Sequence, residues 1–363
     1  MKKIYLNILL FFIVMALTSC SKEVYKYYRY EYNGYLDTAG YIIVEYNQNK
    51  YTAEEMNNIL QNAEEVLLKI EKEFSISQTP HMKQKGIDKS TLMQINDNSG
   101  KNLPVKVTDE FLKILAIAEE MYNKTSGLFD VSIGSLTKLW QISEKAEYCM
   151  NDFDSLEYLC SIPTEEEINK AKTLINYQDI KIDAEQKTVS LTKEGMALDF
   201  GAIGKGYAVE KLADYLSEYH FSYVIINMGG NVKVIGESLQ DTLPLKIYVN
   251  DPFEEGTIGY YYPNNNTGGV TSGIYERYIY RDSIKYHHIL NPKTGYPCDD
   301  EIVSVTISGE NSSIADALST SVFMLGIDEG LELINSLDGY DAIIITKEKQ
   351  VYVSNNLDFI QEK

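Results

Sequence analysis

A glycine-rich stretch, LDFGAIGKGYAVE (residues 198–210), contains the first residues whose types and spacing point to chemistry. A glycine-rich turn that opens a helix can present backbone N–H groups and a cation to an anion. The stretch does not match the P-loop, because Asp199 stands where that motif has its first glycine and Gly206 where it has Ser or Thr. Its glycine intervals also differ from the dinucleotide pattern G-x-G-x-x-G.

Lys205, within this stretch, falls near the predicted start of a helix. A cationic side chain is unfavourable there unless an anion compensates for it, so an anionic ligand such as a phosphate is one interpretation. A solvated lysine with no ligand is the other, and this stretch alone does not decide between them.

Asp316 and Thr320 form a second candidate group. They are four residues apart in a segment with a helical pattern, so both side chains lie on one helical face. A carboxylate and a hydroxyl there can share a hard cation such as Mg²⁺, which takes oxygen ligands and keeps several waters. In the structural alternative, Asp316 interacts with the dipole of its helix and Thr320 bonds back to a helix carbonyl.

His287 and His288 precede a Pro/Gly turn in YHHILNPKTGYP (residues 286–297). Because the imidazole pKa lies near neutrality, His288 is our candidate general base. A structural histidine bonded to a backbone carbonyl is the alternative. His287 faces the other way if the segment is extended, and is the poorer candidate.

The elements that must position these residues alternate irregularly between strands and helices. Strands are predicted at YIIVEYN (residues 41–47) and in pairs around residues 180–192, 223–236 and 341–354. Helices are predicted after the N-cap residues Thr52, Thr108 and Thr164 and after Lys205. Strands grouped with helices in this way predict an α+β fold, a single large domain of mixed or antiparallel sheets with packed helices.

The composition limits the class of partner. A formal net charge of −20 over 363 residues argues against nucleic acid or an anionic lipid surface. Neither a C-x-x-C pattern nor a Cys/His cluster occurs, so a zinc site is not expected. A disulfide between Cys149 and Cys160 is compatible with an oxidising compartment, but the sequence leaves it open.

The N-terminal segment, residues 1–20, has a basic start, an apolar run and small residues before Cys20. It predicts a signal peptide over residues 1–19 and resembles a bacterial lipobox, in which the cysteine is lipidated; cleavage elsewhere is the alternative. We expect residues 20–35 to form a tether and residues 36–363 to form one domain. The protein is thus expected to be exported and lipid-anchored to a bacterial membrane, facing the periplasm or the cell exterior.

Seven segments, in this order and spacing, resemble the FAD:protein FMN transferase (ApbE-type) family. They are STLMQIN, TSGLFDVSIGSLTKLW, LDFGAIGKGYAVE, INMGGNVKVIG, VTSGIYERY, HHILNPKTGYP and SVTISGENSSIADALSTSVFMLG. The resemblance runs from about Ser90 to Gly326, and weaker similarity extends from Leu36 to the end. Members of this family are often lipoproteins or exported proteins.

The resemblance implies an enzyme that cleaves FAD with Mg²⁺ and attaches FMN, through a phosphoester, to a Thr or Ser hydroxyl of a partner protein, releasing AMP. The partner is expected to be a membrane electron-transfer protein. The residues that would contact the flavin nucleotide are Leu36, Leu128, Phe129, Asp130, Asp199, Lys205 and Ile289. The metal would be bound by the carbonyl of Ala202 together with Asp316 and Thr320.

The sequence departs from the family pattern at four positions. Leu36 replaces a common Met, Asn291 replaces an Asp, and Ile274 stands where an acidic residue is usual after TSG. Ser77 lies roughly where an aromatic residue often accompanies the adenine. Two alternatives to the transferase therefore remain: an Mg²⁺-dependent FAD pyrophosphatase that releases FMN and AMP, and a flavin-binding lipoprotein without enzymatic activity.

Overall fold

The structure, a computed structural model of the chain, describes residues 23–149, 160–241, 243–282, 284–298 and 301–362. The predicted signal peptide and Cys20 lie outside the described residues. Among the helices that are described, none combines the length and the apolar character needed to cross a membrane.

An antiparallel sheet of eight strands forms the centre of the protein. In spatial order its strands are β1 (Tyr25–Tyr35), β2 (Thr38–Asn47), β6 (Tyr223–Met228), β7 (Asn231–Gly236), β10 (Gly268–Gly273), β13 (Ile302–Gly309), β14 (Tyr340–Thr346) and β15 (Val351–Val353). β1 is rich in tyrosine, and β-branched residues are frequent in the other strands; both residue types pack well on a pleated surface. The strands predicted within β2, β6, β7, β14 and β15 are confirmed.

Three smaller sheets surround the central one. They comprise β3 (Val105–Lys106), β5 (Thr188–Leu191) and β4 (Ile180–Asp183); β8 (Ile247–Asn250), β9 (Thr257–Tyr261) and β16 (Phe359–Gln361); and the hairpin of β11 (Tyr278–Arg281) and β12 (Ile284–His287). The predicted β4–β5 pair is confirmed. The sheet of β8, β9 and β16 covers one face of the central sheet, where Tyr261 packs with Val234 and Ile343.

Helices cover the other face of the central sheet and enclose the main core. They are α1 (Ala53–Phe74), α2 (Pro80–Gln84), α3 (Thr91–Asp97), α4 (Asp109–Lys124), α5 (Gly134–Trp140), α6 (Ile142–Cys149), α7 (Glu165–Lys172), α8 (Gly204–Ser217), α9 (Ser312–Leu325) and α10 (Ile327–Asn335). Thr164 forms the predicted capping box with Glu167, Thr52 forms another with Glu55, and the Thr108 side chain accepts a hydrogen bond from the Phe111 N–H. The predicted α+β class is confirmed.

Strand β1 shows that the tether predicted for residues 20–35 was wrong over most of its length. Tyr25–Tyr35 pairs with Thr38–Asn47 throughout, and Tyr32 and Tyr35 are buried. Tyrosine is a strong strand former, and it alternates with polar residues in YKYYRYEYNGY. The absence of a helical stripe was therefore a sign of a strand, not of an irregular segment.

The disulfide that the sequence left open is present. The Sγ atoms of Cys149 and Cys160 are bonded. Cys149 is the last residue of α6, and residues 150–159 lie outside the described part of the chain. The bond thus secures the end of α6, which packs against β11.

One end of the central sheet gathers several turns that are far apart in sequence. The turn at Leu36 and Asp37 joins β1 to β2, and the Gly229–Gly230 turn joins β6 to β7. The Gly229 N–H donates to the Ala39 carbonyl (3.1 Å). Since Asn231 pairs with Val270 in β10, the last residues of β10 extend past the same end. We call it the site end.

Candidate active site

Helices α8 and α9 come into backbone contact where α8 begins. The Gly206 N–H donates to Asp316 Oδ2 over 2.8 Å. A Cβ at position 206 would lie 2.1 Å from the Ser312 carbonyl oxygen, so only glycine permits this approach. The glycine-rich stretch therefore brings the N-terminus of α8 onto the buried carboxylate of Asp316, which is 2% exposed.

The second oxygen of Asp316 faces a cation. Asp316 Oδ1 lies 3.8 Å from Lys205 Nζ, and Lys205 is half-buried. Lys205 is thus not the solvated lysine of the alternative interpretation. Asp316 does interact with a helix N-terminus, but it is that of α8 and not that of its own helix.

The contact between Gly206 and Asp316 also leaves the carbonyl oxygen of Ala202 available. In a regular α-helix the N–H of residue 206 bonds to the carbonyl four residues earlier. Here that N–H bonds to Asp316, and no backbone N–H of the described residues donates to the Ala202 carbonyl. An acceptor next to Lys205 is therefore open to a ligand.

Thr320 differs from the serines on either side of it. The hydroxyls of Ser319 and Ser321 donate back to the carbonyls of Asp316 (2.8 Å) and Ala317 (2.7 Å). Within the described part of the chain, the Thr320 hydroxyl makes no such bond. The structure therefore does not show the alternative in which the Thr320 hydroxyl bonds back to its own helix.

These three oxygens fit a hard divalent cation. The set combines the Asp316 carboxylate, the Thr320 hydroxyl and the Ala202 carbonyl, which are the donor types that Mg²⁺ accepts. Among the described residues, no group of three or more His, Cys, Asp or Glu side chains could hold a metal. Carboxylate, hydroxyl and carbonyl oxygens are hard ligands, so this donor set is of the type that Mg²⁺ prefers.

Asp199 connects the glycine-rich stretch to a second segment. Its N–H donates to the Val131 carbonyl (2.8 Å), and the Gly134 N–H donates to the Ala197 carbonyl (3.0 Å). Its own Oδ1 accepts the N–H of Gly201 (2.7 Å). The chain around residues 131–134 thus runs beside residues 197–199; the predicted nucleotide contacts of Asp199 and of residues 128–130 remain predictions.

Asp130 uses its carboxylate inside the protein. Oδ1 accepts from the N–H (2.8 Å) and hydroxyl (2.7 Å) of Ser132, and Oδ2 accepts from the Tyr177 N–H (3.2 Å). Burial raises the pKa of Asp130. Phe129 is also buried, whereas Leu128 is half-buried. These contacts give Asp130 a structural role, and its contact with a nucleotide remains a prediction.

The two adjacent histidines adopt different hydrogen-bonding states. His288 Nδ1 lies 3.0 Å from the Arg277 carbonyl, which only accepts, so Nδ1 carries the proton and Nε2 has the lone pair. In His287, Nδ1 accepts from the Ile289 N–H (3.3 Å) and Nε2 donates to the Cys298 carbonyl (3.0 Å). His287 is therefore structural, and His288 can accept a proton at Nε2.

Burial lowers the pKa of His288 to about 3, and the positive charges of Arg277 and Lys205 act in the same direction. The ring is accordingly neutral at physiological pH. Ile289, the next residue, is buried.

Arg277 joins His288 to the turn of Leu36 and Asp37. Its guanidinium donates to the Asp37 carbonyl (3.3 Å) and to the Ser143 hydroxyl (3.4 Å), while its own carbonyl bonds to His288. The Leu36 N–H is held by Glu71 Oε1 at 3.1 Å. Leu36, predicted to contact the flavin nucleotide, thus lies in the same neighbourhood as His288.

Sequence reasoning missed two residues of this region. The Asn96 side chain accepts the Leu198 N–H (2.7 Å) and donates to the Leu198 carbonyl (3.0 Å), which fixes the backbone just before Asp199. Glu276 has an exposed side chain, and partial desolvation raises its pKa; the charges of Lys205 and Arg277 oppose this effect and that of Asp316 adds to it. Glu276 lies two residues after Ile274, so an acid is present near the position where the family pattern has one.

A cavity of about 360 Å³ lies next to these residues, reaching Leu198 beside Asp199. Its lining residues are Ile76, Ser77, Met93, Asn96, Asp97, Ser99, Gly134, Thr137, Lys138, Gln141, Glu144, Gly195, Met196, Ala197 and Leu198. Lys205, Asp316 and His288 are outside it. The cavity beside Ser77 is therefore distinct from the charged groups at the site end.

Comparison with known proteins assigns a family. The model of the ApbE family matches residues 41–344. A FAD:protein FMN transferase of Klebsiella pneumoniae (strain 342) is 33% identical over 73% of this chain and 78% of its own. One of Treponema pallidum (strain Nichols) is 30% identical over 80% of this chain and 81% of its own. The solved flavin transferase ApbE from Vibrio cholerae shares the fold, with a TM-score of 0.75 and 21% identity over 92% of this chain and 98% of its own.

Proposed function

The chain belongs to the ApbE family, and we propose that it is an FAD:protein FMN transferase. It would cleave FAD, attach FMN through a phosphoester to a Thr or Ser hydroxyl of a partner protein, and release AMP. The observation that carries the proposal is the arrangement at the start of α8, where the buried carboxylate of Asp316 accepts the Gly206 N–H and faces Lys205.

Asp316, Thr320 and the Ala202 carbonyl would hold Mg²⁺. When bound, the ion supplies neutralisation of the pyrophosphate oxygens and of the charge that develops on the AMP leaving group. Lys205 would move from Asp316 to the same phosphates and act as a second cation. The chain needs such local cations because its net charge of −20 repels a dinucleotide.

His288 would remove the proton from the incoming hydroxyl. The structure leaves Nε2 as the acceptor nitrogen. Burial of the ring is the main cause of its pKa of about 3, and the cations Arg277 and Lys205 lower the pKa further. The negative charge of bound FAD would offset those two cations and so raise the pKa of His288 from this low value, which favours its action as a base.

A second candidate function is the Mg²⁺-dependent FAD pyrophosphatase, in which water replaces the protein hydroxyl. One observation favours it: Ser77 lines the enclosed cavity, in which the adenosine half of FAD would bind. A serine gives an adenine ring no aromatic surface to stack on. Faster exchange of the nucleotide and easier access of water would both follow.

We further propose that the protein is lipid-anchored through Cys20 outside the cytoplasm and acts on a membrane electron-transfer protein. The predicted lipobox supports the anchor. Because β1 begins at Tyr25, five residues after Cys20, the folded body would lie close to the membrane that holds such an acceptor.

One assay separates the candidate functions. The chain without residues 1–20 is incubated with FAD, Mg²⁺ and an acceptor domain that carries a threonine flavinylation motif. Flavin fluorescence on the acceptor band of a denaturing gel supports the transferase. Release of FMN and AMP without labelling supports the pyrophosphatase, and FAD recovered intact supports a flavin-binding protein.

A further inference from the structure

Asn231, the first residue of β7, carries a buried side-chain amide. Its side chain is 1% exposed, and neither Nδ2 nor Oδ1 has a hydrogen-bond partner among the described residues. Burying an amide without hydrogen bonds is costly, and such groups in native structures mark an internal water, an ion or a ligand. An apolar residue in place of Asn231 would therefore increase the stability of the protein.

The position of Asn231 follows from its strand. Side chains two residues apart in a strand point to the same face, so Asn231 faces the same way as Lys233. Lys233 Nζ donates to Glu210 Oε1 of α8 (2.7 Å) and to the Glu310 carbonyl just before α9 (2.6 Å). Asn231 thus faces the two helices that build the metal site, and not the opposite face of the sheet.

The lengths of the strand and the helices give the position of Asn231 along α8 and α9. From Lys233 to Asn231 the strand advances about 7 Å towards the site end. Going back along helix α8 from Glu210 to Gly206 covers about 6 Å, also towards the site end. On α9, Glu210 Oε1 accepts the N–H of Ser312 (2.6 Å), and Asp316 is one turn further on. The amide therefore lies at the level of the Gly206–Asp316 contact, behind the proposed metal ligands.

We propose that Asn231 is a positioning residue of the metal site, whose amide binds a water molecule of the divalent cation's coordination shell. This inference rests on the proposed metal site. Mg²⁺ keeps several of its waters when a protein supplies few ligands. An amide offers both an acceptor and donors to such a water, and groups of this kind orient metal ligands in proteins.

The same residue would behave differently if it only supported the fold. A structural amide would have protein partners, and its loss would destabilise the protein. An amide that serves a bound ion is unsatisfied without the ion, so its replacement by an apolar residue stabilises the ion-free protein and weakens ion binding. The two roles therefore predict opposite shifts of the melting temperature.

The test compares Asn231→Leu with the unaltered chain in two measurements, both without FAD. The first is the Tm in EDTA, which we expect to rise by about 2–4 °C. The second is the Kd for Mn²⁺, measured by the EPR signal of the free ion, which we expect to increase about tenfold. A lower Tm, or an unchanged Kd at any Tm, overturns the proposal.

Two further variants keep the result interpretable. Asn231→Asp retains an acceptor oxygen and should keep the Mn²⁺ affinity of the unaltered chain; a tenfold loss there also contradicts the proposal. If Asn231→Leu does not fold, Asn231→Ala serves in its place, with the same expected loss. Thr306→Val is the control, because Thr306 is a buried polar residue partnered by Thr271 on the other face of the sheet. Its Kd should not change.

Asp316→Ala distinguishes this inference from its premise. If that variant binds Mn²⁺ normally, the proposed metal site itself is wrong. If it loses Mn²⁺ while Asn231→Leu binds normally, only the role of Asn231 is wrong. Both outcomes are independent of whether any flavin reaches an acceptor protein.

Discussion

Two buried carboxylates, at different places in the molecule, illustrate what sets the site apart. Glu45 in β2 is fully buried and accepts hydrogen bonds from Ser222, Ser238, the Leu239 N–H and Gln240. Asp316 is 2% exposed and accepts one, from Gly206. Both carboxylates are buried, but of the two only Asp316 keeps oxygen lone pairs that a ligand can use. Unused capacity, and not burial, is the sign of function here.

The contrast recurs at two other places in the site. Ser319 and Ser321 use their hydroxyls within α9, and Thr320 between them does not. His287 uses both ring nitrogens within the protein, and His288 uses only Nδ1 among the described residues. In each case neighbouring residues of similar type are divided into structural and available groups. The following variants test that division.

The largest effect is expected from Asp316→Ala. We expect kcat for FAD cleavage to fall about a thousandfold, since the variant loses a proposed metal ligand and the partner of Lys205. Steady-state kinetics at saturating Mg²⁺ measure the loss. The far-UV CD spectrum should match that of the unaltered chain, and normal turnover would remove the metal assignment.

His288→Ala should have the next largest effect. Loss of a general base typically costs a hundredfold or more, so we expect kcat for transfer to the acceptor to fall about a hundredfold while the Kd for FAD changes little. Stopped-flow transfer rates and fluorescence titration with FAD give the two numbers. Equal activity would make His288 a structural residue like its neighbour.

The low pKa of His288 adds a pH dependence. The folded protein keeps this ring neutral down to a pKa of about 3, whereas the unfolded chain binds a proton below about 6.5. Because of His288, the free energy of unfolding therefore decreases as the pH falls from about 6.5 towards 3. His288→Asn should lose less stability than the unaltered chain over that range in urea titrations, and parallel curves would contradict the assignment.

Thr320→Val is expected to have a moderate effect. Replacing the hydroxyl by a methyl group removes one proposed metal ligand, so the Mg²⁺ concentration needed for half-maximal activity should increase about tenfold. Ser321→Ala is the matched control, because the Ser321 hydroxyl is used by the Ala317 carbonyl. The same Mg²⁺ dependence in both variants would show that Thr320 is not a ligand.

The smallest effect on activity, and the largest on stability, is expected from Glu45→Ala. The variant leaves several buried donors unsatisfied, which costs about 3 kcal/mol and, in a chain of this size, lowers Tm by about 4 °C. Activity per folded molecule at 25 °C should stay unchanged. Calorimetry and kinetics on the same sample test this, and a loss of activity without a loss of Tm would reverse the comparison with Asp316.

Burial raises the pKa of Glu45, but hydrogen bonds from Leu239, Ser238 and Ser222 outweigh it and hold the pKa below the ordinary value. The stability that this carboxylate contributes is present above about pH 4.5 and is lost as the pH falls through its folded pKa. Glu45→Gln should therefore flatten the acid limb of the stability curve.

The sequence by itself determined the elements and the family. Helical and alternating patterns act over a few residues, so the helices after Thr52, Thr108 and Lys205 and the strand at residues 41–47 were predictable. The seven ordered segments indicated the ApbE family, which the comparison confirms. The tether was wrong because tyrosine-rich alternation belongs to a strand.

Only the tertiary structure decided which polar groups are available. Lys205 and Asp316 are more than a hundred residues apart, and their proximity depends on a backbone contact that Gly206 permits. The sequence shows Asp130, Asp199 and Asp316 as equivalent carboxylates, but Asp130 is occupied by the nearby Ser132 N–H and by the distant Tyr177 N–H. Folding decides which groups lie next to a polar side chain, and therefore whether its hydrogen-bonding atoms are used or left open. The neighbouring residues in the sequence do not identify those groups.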